Sequence, residues 1–135
     1  MTESGDGLRV CASAELVDGG QGVRFPVLAK GTDATGFVVR FGGVIHAYLN
    51  RCTHAHIELD WQRGRFFDRR GLYLMCAMHG AVYAPDSGRC IGGPCSQGLR
   101  AIRVSERDGA VYWHPDDGML PAPPRPPPVL PSGPL

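Results

Sequence analysis

The chain has 135 residues, which predicts a single domain, and its 43% hydrophobic content is enough for a modest core. Its formal charge is only +1, with 14 basic and 13 acidic residues scattered along the chain, so we expect no nucleic-acid partner. No apolar stretch approaches the roughly 18 residues of a membrane span, and no apolar segment follows the polar start. We therefore expect a cytoplasmic protein with no membrane association.

The first part of the chain is predicted to contain strands and turns. Residues 1–7 are polar and are expected to form a flexible tail. Between residues 8 and 28, short apolar runs are interrupted by glycines, a pattern typical of strands joined by turns.

A β-hairpin is predicted between residues 36 and 50. Two runs rich in β-branched and aromatic residues flank Gly42-Gly43. Both glycines can adopt positive φ, which suits the tight turns that join antiparallel strands. The second strand leads directly towards Cys52.

Further strands are predicted before and after the second cysteine motif. Residues 65–67 and 72–76 are expected to pair as a hairpin, and residues 99–104 alternate with the period of a half-buried strand. No helical window of ten or more residues is found. These patterns define a predicted domain over residues 8–114.

The C-terminal segment, residues 115–135, differs in composition from the rest. It contains nine of the chain's twelve prolines. Because proline lacks a backbone N–H, we expect an extended, polyproline-like tail outside the core. Such a tail can bind a partner groove, although a solvated tail is the more common case.

Two short segments each supply one cysteine and one histidine in the same order. They are Cys52-Thr53-His54 and Cys76-Ala77-Met78-His79-Gly80. Thiolates are soft ligands and imidazoles are borderline, so the set suits zinc or an iron–sulfur centre. Zinc fingers usually group Cys with Cys and His with His, whereas a two-iron cluster can take two Cys on one iron and two His on the other. The alternating order favours the two-iron cluster, and a zinc-binding structural module remains the alternative.

The two motifs resemble the cluster loops of the Rieske 2Fe–2S family, C-x-H and C-x-x-H-G. The similarity continues through residues 80–83, the turn at 86–88 and Gly92-Gly93-Pro94, and covers about residues 20–114. It implies an all-β fold, a small antiparallel β-sandwich or barrel of Rieske type with two cluster-binding loops. It also implies one 2Fe–2S cluster per chain, with Cys52 and Cys76 on the inner iron and His54 and His79 on the outer iron.

Within that family, the chain is most similar to the soluble Rieske ferredoxins of bacterial oxygenase systems. Ile57 and Met78 replace the disulfide-forming cysteines of the respiratory members, and Ala81 replaces a serine hydroxyl. Tyr83 is retained as a donor and, with Gly80 and Met78, is expected to tune the cluster. Hydrogen bonds to the cluster sulfurs raise the reduction potential. Because this chain lacks the serine hydroxyl and the disulfide, we expect a reduction potential in the lower part of the Rieske range, which spans about −150 to +300 mV.

The resemblance implies a one-electron carrier rather than an enzyme. It would accept electrons from a flavoprotein reductase and pass them to a terminal oxygenase or reductase. A redox-sensing or structural small subunit of a larger reductase is the alternative. The remaining candidates, His46, His56 and His114, are expected to be ordinary loop or packing residues. Cys90 and Cys95 are expected to be unpaired or buried thiols, and a disulfide between them is the alternative that the cytoplasm disfavours.

Overall fold

The computed structural model describes residues 7–53, 57–78 and 80–122. These residues form ten β-strands and a short 3₁₀ turn at Ser13–Glu15. The strands are β1 (Leu8–Ala12), β2 (Val23–Ala29), β3 (Thr32–Phe41), β4 (Val44–Leu49), β5 (Leu74–Met75), β6 (Val82–Tyr83), β7 (Cys90–Gly92), β8 (Ala101–Arg107), β9 (Ala110–His114) and β10 (Met119–Pro121). The predicted all-β antiparallel fold is confirmed.

Seven strands form one antiparallel sheet in the order β1-β9-β8-β4-β3-β2-β10. Side chains from strands along the whole width of the sheet share one buried cluster, which includes Cys11 on β1, Val38 on β3 and Met119 on β10. The sheet is therefore curled around this cluster. Burial of this apolar surface is the main stabilising contribution to the sheet. The curled sheet is the rigid scaffold of the molecule.

The β3–β4 hairpin turns at Gly42 and Gly43, which have φ values of 63° and 82°. The prediction from the Gly-Gly pair is therefore confirmed. The carboxylate of Asp18 also accepts hydrogen bonds from both glycine N–H groups, at 3.0 and 2.6 Å. This contact fixes the turn against the N-terminal part of the chain.

A smaller sheet, β5-β6-β7, packs on the outer face of the larger one. Strand β3 is shared by both cores, because successive side chains of a strand point to opposite faces. Val38 lies in the curled sheet's cluster, whereas Phe37 and Val39 lie in the second cluster with Cys52 and Cys76. Burial on both faces explains the continuous apolar run in this strand.

Three segments differ from the patterns predicted above. The expected pairing of residues 65–67 with 72–76 is present but short: a bridge joins Phe67 to Leu74, and the N–H of Met75 donates to Phe66 O at 2.9 Å. Residues 13–15 form the 3₁₀ turn, where the N–H of Ala12 donates to the carboxylate of Glu15 at 2.9 Å. Strand β10 continues the sheet beyond residue 114, so the domain boundaries at residues 8 and 114 remain predictions.

Among the residues that the structure describes, no helix is long and apolar enough to cross a membrane.

Candidate metal centre

The first motif follows the end of β4, and Cys52 is completely buried. Its backbone N–H donates to the carbonyl of Ile57 at 2.6 Å, which ties the two ends of the first loop together. Asn50 anchors the base of this loop, since its side-chain oxygen accepts from the N–H of Leu59 at 2.8 Å. The first cysteine is therefore held at the hydrogen-bonded base of this loop.

The second motif follows β5, and Cys76 is also completely buried. The N–H of Cys76 donates to Ala81 O, and the N–H of Gly80 donates to Cys76 O, both at 2.9 Å. Gly80 has a φ of 77°, a conformation that side chains other than glycine rarely adopt. The glycine after the histidine of the motif is therefore required by the backbone that closes this loop.

The two loops are bonded to each other as well as to the scaffold. The N–H of Ala77 donates to Leu59 O at 3.0 Å, and both cysteines belong to the same buried cluster. The two predicted histidine ligands, His54 and His79, and also His56, lie outside the described residues. Within the described ranges, no group of three or more metal-ligating side chains is brought together.

Tyr83 on β6 connects the small sheet to the first loop. Its hydroxyl oxygen lies 3.6 Å from Cys52 Sγ and 3.0 Å from Thr53 Oγ1, and it accepts from the N–H of Thr53 at 3.2 Å. Burial raises the pKa of Tyr83, so the hydroxyl keeps its proton. Since its oxygen already accepts from Thr53, the O–H is available to donate to the sulfur or to Thr53 Oγ1.

Asp60 is a residue of this region that the sequence analysis missed. Its buried carboxylate accepts two hydrogen bonds from Arg24, and one each from Asn50 Nδ2 and Gly64 N–H, all at 2.9 Å. Arg24 also binds Glu58 at 3.0 Å. Removing one partner of a buried ion pair costs about 3–5 kcal/mol, so this network fixes the segment between the two loops. An isolated acid between Leu59 and Trp61 is a weak sequence signal, and its partner is 36 positions away.

A third loop covers the second motif, and here the sequence expectation was wrong. Cys90 and Cys95 form a disulfide rather than two unpaired thiols, with Cα atoms 6.0 Å apart. The turn at Gly92-Gly93 brings the two residues within bridging distance. A Cβ at Gly93 would lie 2.5 Å from Gly80 O, so only glycine allows this close approach to the second loop.

The other candidates lie apart from the two motifs. His114 is buried on β9, where its Nε2 lies 2.7 Å from Ser105 Oγ, and His46 is half-buried on β4. Cys11 is a buried thiol in the core of the curled sheet, and burial, followed by the nearby Glu15 carboxylate, raises its pKa to about 11. Met78 is exposed beside the second cysteine.

The described donors fit a cluster with thiolate ligands on its inner side. Two cysteine side chains with no solvent exposure lie in one packed cluster, and one of them has a hydroxyl within hydrogen-bond reach of its sulfur. Soft thiolates in such surroundings are the ligands of iron–sulfur centres and of zinc. Fold and site together define a small all-β protein with a pair of buried cysteines at two adjoining loops.

The chain belongs to the Rieske family, because the family model for the Rieske 2Fe-2S domain matches residues 7–119. Members of this family bind a 2Fe–2S cluster, one in a domain of this size, so this chain binds one such cluster. No curated protein sequence matches the chain.

Several solved structures of ferredoxins are similar to this chain. The ferredoxin of carbazole 1,9a-dioxygenase from Nocardioides aromaticivorans IC177 is 27% identical, with a TM-score of 0.65 over 81% of this chain and 97% of that chain. A chain in a complex of reduced oxygenase and oxidized ferredoxin in carbazole 1,9a-dioxygenase is 27% identical, with a TM-score of 0.62 over 79% and 91%. The Sphingomonas yanoikuyae B1 ferredoxin, at 23% identity, shares the fold, with a TM-score of 0.63 over 82% and 100%.

These matches confirm the predicted resemblance and the role of an electron-transfer component rather than an enzyme. The zinc module and the structural subunit are not favoured by them.

Proposed function

We propose that this protein is a soluble cytoplasmic ferredoxin that accepts one electron from a flavoprotein reductase and passes it to a terminal oxygenase. The observation that carries the proposal is the pair of buried cysteines on two loops that are hydrogen-bonded to each other. The similarity to a carbazole dioxygenase ferredoxin supports the oxygenase as the acceptor. The bound cluster supplies a reversible one-electron couple.

In this proposal Cys52 and Cys76 hold the inner iron, and His54 and His79 hold the outer iron. The complete burial of both cysteines supports their inner position. The hydrogen bonds across each loop base hold the two sulfurs in place before and after electron transfer, which keeps reorganisation of the protein small. Gly80 closes the second loop, and exposed Met78 covers its outer surface.

The surroundings of the sulfurs support a potential in the lower part of the Rieske range, about −150 to +300 mV. Ile57 and Met78 form no disulfide between the loops, and Ala81 offers no hydroxyl. Tyr83 is the remaining hydroxyl donor near Cys52. Of the Pro-rich segment 115–135, residues 123–135 lie outside the described residues, and binding of this segment to a partner is part of the proposal.

Metal analysis and spectroscopy of anaerobically purified protein test the function. We expect about two iron atoms and two sulfides per chain, and the electron paramagnetic resonance signal of a Rieske cluster after reduction. Cys76→Ser should abolish both, whereas Cys11→Ala, which removes a buried thiol from the other core, should retain them. One zinc and no iron would contradict the proposal.

A further inference from the structure

The segment between the two cluster loops carries a concentration of exposed arginines. We call residues 61–73 the arginine arm. Arg63, Arg65, Arg69 and Arg70 are all exposed, and the only acidic residue of the arm is Asp68. The arm therefore carries four arginines against one aspartate, whereas the chain as a whole has a formal charge of only +1, so the arm is locally positive.

Among the described residues, the nearby acids Asp60 and Asp68 leave three of the four arginines without an acidic partner. Asp60 is enclosed by Arg24, Asn50 and Gly64 N–H. Asp68 accepts from the backbone of Leu72 at 3.0 Å and contacts only Arg70 among the arginines. Within the described part of the chain, the side chains of Arg63, Arg65 and Arg69 make no hydrogen bond or ion pair.

The arm also encloses an apolar groove beside the second ligand loop. The groove has a volume of about 430 Å³, and its lining includes Phe66, Phe67, Met75 and Ala77 as well as Arg65 and Arg69. Trp61, at the edge of this groove, is 74% exposed. Ala77 directly follows Cys76, so an occupant of this groove would lie next to the proposed cluster site.

The arginine arm is held in place against the strand that leads into the loop containing Cys76. The N–H of Met75 donates to Phe66 O at 2.9 Å, and the Phe66 ring stacks on Phe37 with centroids 3.9 Å apart. A surface held in this way loses little conformational entropy when a partner binds. Exposed Trp and Arg around an apolar centre are also the residues that contribute most to protein interfaces.

From this arrangement, and resting on the proposed function, we infer that the arginine arm is the docking surface for an acidic face of the redox partner protein. Arg63, Arg65 and Arg69 attract and orient that face, and Trp61 with the groove receives an apolar side chain at its centre. The charge complementarity selects an acidic protein over a neutral or basic one. Docking there places the partner against the loop that carries Cys76.

Two redox proteins of opposite charge test the inference without the natural partner. The dithionite-reduced protein is mixed in a stopped-flow instrument with acidic plastocyanin or with basic cytochrome c. One electron leaves the reduced protein and reduces Cu(II) to Cu(I) or haem Fe(III) to Fe(II). We expect faster transfer to plastocyanin at low ionic strength, and we expect added salt to remove most of the difference.

Variants with matched charge changes show whether the arm is responsible. Arg65→Glu/Arg69→Glu should slow reduction of plastocyanin about tenfold at low salt. Arg9→Glu/Arg103→Glu, at exposed positions on β1 and β8, alters the net charge equally but should change that rate less than about twofold. Trp61→Ala should slow the reaction at both low and high salt, because it removes an apolar contact.

The outcomes separate this inference from the proposed function. Equal rates with both acceptors, or equal losses in both double variants, would overturn the arm as an acidic-partner site while leaving the electron carrier intact. Sedimentation of the wild-type protein as a dimer, and of Arg65→Glu/Arg69→Glu as a monomer, would overturn the inference, because the occupant of the arm would then be a second copy of the chain. Failure of dithionite to produce a reduced cluster signal would instead contradict the proposed function.

Discussion

Tyr83 is the residue that joins the smaller sheet to the loop that contains Cys52. Its hydroxyl lies within hydrogen-bond reach of Cys52 Sγ and of the Thr53 side chain and N–H. Since the residue is fully buried, water cannot replace these contacts if the hydroxyl is removed. A hydrogen bond to a ligating sulfur stabilises the more negative, reduced state of a cluster and therefore raises its potential.

Tyr83→Phe is expected to lower the reduction potential by about 40 mV, which corresponds to about 1 kcal/mol for the lost hydrogen bond. Protein-film voltammetry measures the shift. The matched control is Tyr48→Phe, because Tyr48 belongs to the same buried cluster but donates to Pro85 O at 2.8 Å. The control should leave the potential unchanged, and an equal shift in both variants would show that Tyr83 does not act through the sulfur.

At the level of elements, the loop between Cys90 and Cys95 covers the loop that contains Cys76, and its disulfide holds this covering loop in shape. The Cys90–Cys95 disulfide encloses the Gly92-Gly93 turn, and Gly93 packs directly on the backbone of Gly80. A spacing of five positions permits such a bridge but does not require it. The expectation of free thiols came from the compartment alone, and the turn geometry that brings the two cysteines together was not visible in the sequence.

Cys90→Ser/Cys95→Ser is expected to destabilise the oxidised protein by about 2 kcal/mol, since the short closed loop restricts the unfolded chain only modestly. This corresponds to a decrease in Tm of about 8 °C, measured by circular dichroism with the cluster signal followed in parallel. A non-metal reductant such as a phosphine should lower the Tm of the wild-type protein similarly and leave the double variant unchanged. An unchanged Tm in the variant would show that the bridge adds no stability.

The sequence predicted the elements whose signals are local. The β3–β4 hairpin was predicted because Gly42 and Gly43 specify its turn, and the two cysteine loops were predicted because their motifs are short. Strand β10 was not predicted, since Pro121 lies on an edge strand and its partner Val27 is far away in the chain. The Arg24–Asp60 pair was missed for the same reason, because nothing near either residue indicates the other.

On the scale of the whole molecule, the two hydrophobic cores have different structural roles. The curled sheet provides a scaffold with its own interior, and the second core joins that scaffold to the smaller sheet and to both cysteines. Strand β3 contributes side chains to both cores, so we expect a change in either core to affect the other. Stability of the scaffold is therefore a condition for keeping the cysteine loops in place.

That stability is expected to fall as the pH is lowered from 7 to 5. Burial lowers the pKa of His46 and of His114, and the positive charges of Arg103 and Arg107 lower that of His114 further, whereas Asp86 opposes the shift at His46. The unfolded chain therefore binds protons first as the pH falls below about 6.5. Each histidine can remove at most about 1.4 kcal/mol per pH unit until its folded pKa is reached.

His114→Gln should reduce this pH dependence, because glutamine does not titrate and can still hydrogen-bond to Ser105. Urea denaturation at several pH values between 5 and 7.5 measures the free energy of unfolding, with the iron content of each sample recorded. Ser105→Ala is the control, since it removes the hydrogen bond but keeps the titrating ring. It should lower stability at every pH and retain the slope, and an equal slope in wild type and His114→Gln would exclude His114 as a source of the pH dependence.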